Sequence, residues 1–207
     1  MDVQEATTCR LPDLKERHLP ENCRETINTI LKETYGYEQF RNLEIYDDLS
    51  KGKEKLCISQ GQLIENVILE VEKAWKGETQ VDNILLTAPT GSGKSLLFQL
   101  PAIYLGKEYN LLTIVVSPLK ALIVDQVESL QELGYTRVAY ASSDLSPEQK
   151  MEVYRQVREG EIDLFYLSPE LLLSYDIKHF VGERRIGLVV VDEAHTVTTW
   201  GKIGRAH

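Results

Sequence analysis

The sequence has few cysteines, no long apolar run and no excess of positive charge, and each shortage excludes a class of protein. Its three cysteines contain no Cys-x-x-Cys pair, and a zinc site on Cys9, His18 and Cys23 would lack a fourth ligand. No segment approaches the ~20 apolar residues of a membrane span, and the polar N-terminus is unlike a signal or transit peptide. These features predict a cytoplasmic protein without a membrane partner. The net charge of −9 argues against coating nucleic acid by bulk electrostatics, so any such contact must be local.

Strand and helix candidates alternate along the second part of the chain. Helical spacing of apolar residues predicts a helix over 119–133, and Ser146 with Pro147 predicts the capped start of another. The last strand candidate is apolar nearly throughout, which predicts that both of its faces are covered. The alternation predicts an α/β fold with a parallel sheet sandwiched by helices. The five predicted strands are 84–88, 111–117, 137–141, 162–168 and 186–192.

A glycine-rich segment, "APTGSGKS" at 88–95, stands between a predicted strand and a predicted helix. Gly91 and Gly93 permit backbone angles at which consecutive amide N–H groups turn inward around an anion, and the following helix adds its positive N-terminal end. Lys94 supplies a charge toward the β- and γ-phosphates, and the Ser95 hydroxyl is placed to ligate Mg²⁺. The alternative is a glycine turn without a ligand. The predicted nucleotide contacts are Thr90, Gly91, Ser92, Gly93, Lys94 and Ser95.

Carboxylates follow the last predicted strand, in "VVVDEAH" at 189–195. Because open α/β sheets bind ligands at the carboxyl ends of their strands, Asp192 is predicted to hold Mg²⁺ through water. Glu193 is predicted to orient and deprotonate an attacking water, and His195 to link the γ-phosphate to neighbouring segments. An Asp-Glu pair alone is weak evidence. The glycine-rich segment 88–95, called the cradle below, lies about a hundred residues upstream. The pair and the cradle together predict an NTP-hydrolysing site.

These motifs and several shorter segments resemble superfamily 2 helicases and, among them, the RecQ-like DNA helicases. The cradle with its helix is similar to the family's first motif, and "VVSPLKALIVDQV" at 115–127 is similar to the segment that contacts the DNA backbone. "DEAHTVTTWG" resembles the acidic motif and the start of an aromatic-rich loop, although "HTVTTW" departs from the family's usual residues and the rest of that loop is missing. The resemblance covers about residues 56–201 and implies a RecA-like P-loop domain of a DEAH-box, ATP-dependent helicase.

The resemblance also implies roles for single residues. Gln60 matches the family's adenine-reading glutamine, because apolar residues follow it at the family's spacing, and Gln62 is the fallback. An amide pairs with the adenine edge through one donor and one acceptor, which gives a preference for ATP a chemical basis. The structural alternatives are that Gln60 faces solvent and that Trp200 is a core residue. The implied DNA contacts are Ser117, Pro118, Lys120, Gln126, Ser168 and Trp200.

The chain is expected to divide into three parts. Residues 1–52 are predicted to form a short, mainly helical N-terminal extension of unknown role, and 53–202 the RecA-like, ATP-binding domain. Residues 203–207, "IGRAH", have no counterpart in the family and match one translated frame of a common sequencing adapter, which predicts a non-native tail. The family needs a second RecA-like domain that closes over ATP. Without it, this chain is expected to bind nucleotide weakly, hydrolyse it slowly and leave a duplex intact.

Three functions stay open at this point. The first is the ATP-binding half of a RecQ-type 3′–5′ DNA helicase, truncated before its second motor domain, with single-stranded or partly duplex DNA as partner. The second is a DNA-dependent ATPase or translocase subunit of a defence or repair complex that does not unwind DNA. The third is a non-helicase P-loop NTPase or kinase, which the segments "SPLKAL" and "LSPE" disfavour.

Overall fold

The computed structural model describes residues 19–46, 55–86 and 91–193, which form seven helices and six strands. The helices are α1 (Glu25–Tyr35), α2 (Gln60–Trp75), α3 (Leu96–Tyr109), α4 (Lys120–Glu132), α5 (Pro147–Arg158), α6 (Pro169–Ser174) and α7 (Ile177–Val181). The strands are β1 (Asn42–Tyr46), β2 (Lys55–Ser59), β3 (Leu112–Val116), β4 (Val138–Ala141), β5 (Leu164–Leu167) and β6 (Ile186–Val191). None of the described helices is both long enough and apolar enough to cross a membrane.

A parallel sheet with the strand order β4-β5-β3-β6 organises the domain. Before each of these strands, helical or irregular chain returns to the same side of the sheet. The strands therefore run in one direction, and their carboxyl ends all lie at one edge of the sheet. Strands β3 and β5 are buried at every residue, as apolar strands covered by helices on both faces should be. The arrangement is a RecA-like α/β domain, which confirms the predicted fold class.

Strand β6 differs from its prediction. Only alternate residues of β6 pack inward: Leu188 and Val190 contact the core, whereas Val189 and Val191 are 58% and 43% exposed. The prediction that both faces are covered is therefore wrong within the described part of the chain, because β6 is the edge strand there and pairs with β3 alone. The strand predicted over 84–88 is also wrong for residues 84–86, which take no strand conformation, while 87 and 88 lie outside the described residues.

Two hydrophobic clusters lie on the two faces of the parallel sheet. One packs α1 to α4 against inward residues such as Val115 and Tyr166, and the other packs α5 and α7 against residues such as Ile114 and Phe165. Helix α3 lies at the centre of the first cluster, and every residue from Leu96 to Gly106 is buried. This helix directly follows the glycine-rich segment. The buried helix therefore anchors one end of that segment in the core.

The N-terminal helix α1 packs on the same core as α2 and α3. It ends at Gly36, whose φ of 69° is the left-handed conformation that suits glycine at a helix end. Just before α1, the Arg24 guanidinium donates to Glu65 and to Glu72, each at 2.6 Å, and to the Tyr104 hydroxyl. The hydrogen bond from Arg24 is the main reason that the pKa of Glu72 lies below its ordinary value. The division at residue 52 stays a prediction, although α1 shares a core with the domain that follows.

A buried ionic cluster ties the start of β5 to its neighbours. Asp163 is fully buried, and its carboxylate accepts hydrogen bonds from Arg137 at 2.6 Å, from Arg184 at 2.9 Å and from the Tyr135 hydroxyl at 3.3 Å. Gly106 of α3 faces this carboxylate so closely that a Cβ at that position would collide with it. The cluster therefore joins the sheet, the loop before β6 and the cradle helix at the amino-terminal edge of the strands.

Helix α5 begins at the residue that the sequence predicts. The Ser146 side chain accepts a hydrogen bond from the Gln149 amide at 3.2 Å, and the Gln149 side chain accepts one from the Ser146 amide at 2.8 Å. This reciprocal capping box, with Pro147 in the first helical turn, confirms the predicted start.

Replacing Ser146 with alanine removes one half of this capping box. We expect Ser146→Ala to lower the free energy of unfolding by about 1 kcal/mol, measured by urea denaturation. Ser129→Ala is the matched control, because Ser129 is an exposed residue inside α4 where alanine is the better helix former. Equal stabilities of the two variants would contradict the capping role.

Candidate nucleotide site

The glycine-rich segment lies where the chain enters α3. Gly91 and Gly93 both have φ of +79°, the conformation that glycine adopts without steric cost. The Leu96 amide already donates to the Gly93 carbonyl at 3.2 Å, so the helical turn starts inside the glycine-rich segment. Ser95 makes no side-chain capping bond to the helix. The local geometry thus places two left-handed glycines, a helix N-terminus and a hydroxyl side by side, as an anion site requires.

Gln60 lies against this cradle. Its side-chain Nε2 donates to the Ser92 carbonyl at 3.2 Å and to the Gly93 carbonyl at 3.4 Å, and its Oε1 accepts from the Arg41 amide at 3.1 Å. The side chain is 3% exposed, and a Cβ on Gly93 would approach Nε2 to 2.7 Å. The solvent-facing alternative for this glutamine is therefore wrong, because the amide is buried and bridges the cradle.

The amide of Gln62, the fallback residue, is used elsewhere. Its Oε1 accepts from the Ser59 amide at 3.1 Å, and its Nε2 donates to the Pro20 carbonyl at 3.1 Å. Ser59 and Gln62 form the capping box at the start of α2. Of the two glutamines, the structure brings Gln60 to the glycine-rich segment and gives Gln62 a helix-capping role.

Asp192 and Glu193 follow β6 at the carboxyl edge of the sheet. The Asp192 amide donates to the Val116 carbonyl at 2.9 Å, and the Asp192 Oδ1 accepts from the Glu193 amide at 3.0 Å. Glu193 has φ of +52°, a left-handed conformation that is uncommon for a residue with a side chain. Such backbone strain is concentrated at functional sites in proteins, and here it falls on the residue predicted to activate water.

Electrostatics connect the acidic pair to the cradle. Burial raises the pKa of Asp192 above its ordinary value; the hydrogen bond from the Glu193 amide lowers it, the Glu193 charge raises it, and the Lys94 charge lowers it. The Lys94 ammonium is thus near enough to act on the Asp192 carboxylate. Lys94 and Asp192, about a hundred positions apart in sequence, therefore lie within electrostatic reach of each other.

The donor set at this place fits Mg²⁺ and a polyphosphate. A hydroxyl and a carboxylate, from Ser95 and Asp192, are the oxygen ligands that Mg²⁺ uses alongside phosphate oxygens. Backbone amides and Lys94 suit the phosphates themselves. Among the described residues no cluster of three or more His, Cys, Asp and Glu side chains is set to hold a metal. Thr90 and His195 lie outside the described residues.

Five of the six residues predicted to contact DNA are described, and they lie on α4, just before it, and directly after β3 and β5. Ser117 and Ser168 follow these two strands, and the Oγ atom of each is buried without a hydrogen-bond partner in the described structure. Lys120 is half-exposed and donates to Asp144 at 2.9 Å. Pro118 is half-buried next to it. Trp200 lies outside the described residues.

Gln126, by contrast, faces the core. Its side chain is 8% exposed, and its Oε1 accepts a hydrogen bond from the Tyr166 hydroxyl at 2.9 Å. This contact places the amide beneath α4 and away from solvent, so the structure corrects the expectation of an open DNA-contacting side chain at this position. Any effect of Gln126 on DNA must pass through the helix that carries it.

Comparison with known proteins agrees with this geometry. A family described as DEAD/DEAH box helicase matches residues 63–206, which is more than half of the chain. The chain belongs to the DEAD/DEAH box helicase family. Within the family it is RecQ-like: it is 33% identical over 180 residues to the ATP-dependent DNA helicase RecQ of Synechocystis, covering 86% of this chain and 31% of that protein. The RecQ protein of Bacillus subtilis is 38% identical over 119 residues, covering 58% of this chain and 19% of that protein.

A solved helicase structure shares the fold of this RecQ-like motor domain. The crystal structure of the DUF1998 helicase MrfA bound to DNA and AMPPNP matches with a TM-score of 0.51 and 22% identity, covering 87% of this chain and 22% of that one. The chain therefore spans about a third or less of the length of these relatives. The family match gives no support to the third function, a non-helicase P-loop NTPase or kinase.

Proposed function

We propose that this RecQ-like domain is the ATP-binding half of an ATP-dependent 3′–5′ DNA helicase, whose whole protein carries a second RecA-like domain. The observation that carries the proposal is the glycine-rich segment at the start of α3, with Gln60 bonded to it and the Lys94 charge acting on Asp192, since these groups would serve phosphate, base and metal. The RecQ relatives, which are about three or more times longer than the matched region, support the second domain. Polarity and DNA as substrate follow the resemblance to those relatives.

The residues of this chain would divide the chemistry among them. Backbone amides around Gly91 and Gly93 hold the phosphates, and Lys94 neutralises charge that builds up on the transferred group. When bound between Ser95 and Asp192, Mg²⁺ supplies charge stabilisation to the phosphate oxygens. Glu193 orients the attacking water and accepts its proton.

Gln60 would select the base. Its Oε1 keeps one acceptor lone pair beyond the bond from the Arg41 amide, and Nε2 would exchange one of its two bonds to the cradle carbonyls for a bond to the adenine edge. The Arg41 amide holds Oε1 in place and the cradle carbonyls hold Nε2, so the side chain is oriented before the nucleotide arrives. Such pre-organisation favours a base that presents matching groups and leaves polar groups unpaired with one that does not.

Nucleotide titrations test this proposal. We expect the chain to bind Mg·ADP at least about tenfold more tightly than Mg·GDP, because one mismatched buried hydrogen bond costs about 1–3 kcal/mol. Gln60→Ala is expected to reduce this ratio to near one. The measurement is isothermal calorimetry with both nucleotides on each variant.

Gln62→Ala is the matched control, because it removes an amide of the same size two residues away that caps α2. It should lower thermal stability and leave the ADP-to-GDP ratio intact. Absence of Mg·ADP binding to the folded chain would refute the nucleotide site, and a loss of the ratio in Gln62→Ala alone would assign base selection to the wrong glutamine.

A further inference from the structure

Four polar side chains, three of them buried and Tyr35 partly buried, form a continuous line of hydrogen bonds across the first core cluster. The Tyr35 hydroxyl donates to the Gln99 Oε1 at 2.9 Å, the Gln99 Nε2 donates to the Tyr166 hydroxyl at 3.1 Å, and that hydroxyl donates to the Gln126 Oε1 at 2.9 Å. We call these residues the buried relay. Tyr166 is 1% exposed, and the two glutamines are nearly as buried, so the bonds among these three residues lie away from competing water.

The relay links helices that carry different parts of the site. Gln99 lies in the first turn of α3, and its amide donates to the Ser95 carbonyl at 2.9 Å, one position after Lys94. Gln126 lies on α4, whose first residue is Lys120. Tyr166, in β5 between them, is close enough to Asp192 that the charge of that carboxylate adds to the effect of burial in raising the pKa of the tyrosine.

Filling the core does not by itself require these residue types. Buried polar groups lose their hydration, and each must recover it through hydrogen bonds, whereas apolar side chains of similar volume pack without that cost. A line of hydrogen bonds also fixes the relative positions of the residues that it joins, because each bond tolerates only a narrow range of distance and angle. A displacement of the cradle helix α3 therefore strains the bond to Tyr166 and, through it, the bond to α4.

We propose that Tyr166 is a positioning residue that holds α3 and α4 in one fixed relation, so that nucleotide in the cradle and single-stranded DNA on the α4 segment alter each other's affinity. This inference rests on the proposed function. It assigns to Gln99 and Tyr166 a part in the coupling of two ligands, without contact with either. The coupling is reciprocal, because the two ligands bias the same pair of helices.

The matched pair Tyr166→Phe and Tyr154→Phe tests the proposal. Tyr154 is a buried tyrosine of the second core cluster, on the opposite face of the sheet, so its variant has the same chemical change away from the relay. The measured quantity is the dissociation constant of Mg·ADP with and without a saturating oligothymidine. We expect DNA to change this constant by at least about fivefold in the wild-type chain and in Tyr154→Phe, and by less than about twofold in Tyr166→Phe.

A role in folding alone would give a different result. It would lower the stability of Tyr166→Phe, or weaken both ligands together, and leave the ratio between the two Mg·ADP constants as it is in the wild type; that outcome overturns the proposal. A wild-type ratio of one overturns it as well, while the separate binding constants show that the nucleotide site itself is present. Absence of Mg·ADP binding removes the proposed function and this inference together.

A spectroscopic measurement on the wild-type chain tests the proposal even if Tyr166→Phe fails to fold. In ¹⁵N spectra, the side-chain NH₂ signals of Gln99 and Gln126 report directly on the relay in the wild-type chain. Addition of Mg·ADP is expected to shift the Gln126 signal, although this residue lies on α4 and not on the cradle helix. In Gln99→Met, which interrupts the line one bond earlier, the same addition should leave the Gln126 signal in place. A Gln126 signal that ignores Mg·ADP in the wild-type chain overturns the proposal.

Discussion

Asp163→Ala is expected to lower the free energy of unfolding by about 3–5 kcal/mol, because removal of one partner from a buried ion pair leaves the other charge uncompensated. The Arg184 side chain is only 5% exposed, and its Nη2 is 2.9 Å from Asp163 Oδ1, so water cannot replace the lost carboxylate. Arg137 and Tyr135 lose the same acceptor. Urea denaturation followed by far-ultraviolet circular dichroism measures the change.

Asp144→Ala serves as the control for this prediction. Asp144 also pairs with a cation, Lys120 at 2.9 Å, but both side chains are largely exposed, and such pairs contribute little to stability. Gly106→Ala provides a second arm, because its new Cβ would push against the Asp163 carboxylate and disturb the same cluster. If Asp163→Ala were as stable as Asp144→Ala, the cluster would not hold the amino-terminal edge of the sheet together.

Lys94→Ala is expected to weaken Mg·ADP binding about 10- to 100-fold, the value of a charge-assisted hydrogen bond of about 1.5–3 kcal/mol to phosphate. The charge of Lys94 also lowers the pKa of Asp192, which burial has raised above its ordinary value. Without the lysine this pKa rises further, and the ionised carboxylate that Mg²⁺ requires is lost at a higher pH as the solution is acidified. Calorimetric titrations at several pH values measure both effects.

Lys107→Ala is the matched control, since Lys107 lies in the last turn of the same helix, α3, far along it from the cradle. Its affinity for Mg·ADP should equal that of the wild type at each pH. An unchanged affinity in Lys94→Ala would mean that the glycine-rich segment binds no phosphate, in conflict with the proposed function.

The sequence predicts the meeting of cradle and acidic residues because both motifs are local, and the rule that ligands bind at the carboxyl ends of parallel strands brings them together. It is less informative about sheet edges. The apolar run in β6 looks like a covered strand, but Val189 and Val191 are exposed, since coverage depends on which helices reach the edge strand. No local sequence pattern indicates whether a helix covers the outer face of an edge strand.

The sequence contains a pattern that distinguishes Gln60 from Gln62 as the candidate for reading adenine. Ser59 and Gln62 stand three apart before an apolar helix, which is the pattern of a capping box, and this pattern assigns the second glutamine to the helix start. Gln99 offered another signal, because a single amide in a wholly apolar stretch of helix must find a buried partner. That its partner is Tyr166, 67 positions away, depends on the tertiary fold and lies beyond the reach of periodicity.

The hairpin of β1 and β2 packs Leu43 and Ile58 into the first core cluster, and its two ends lie side by side. Asn42 pairs with Ser59, and the Gln60 amide donates to the Arg41 carbonyl at 2.9 Å, so the chain on either side of the hairpin is closed by its own hydrogen bonds. The register of this hairpin therefore fixes where α2 begins and, with it, the position of Gln60, one residue after the Asn42–Ser59 pair.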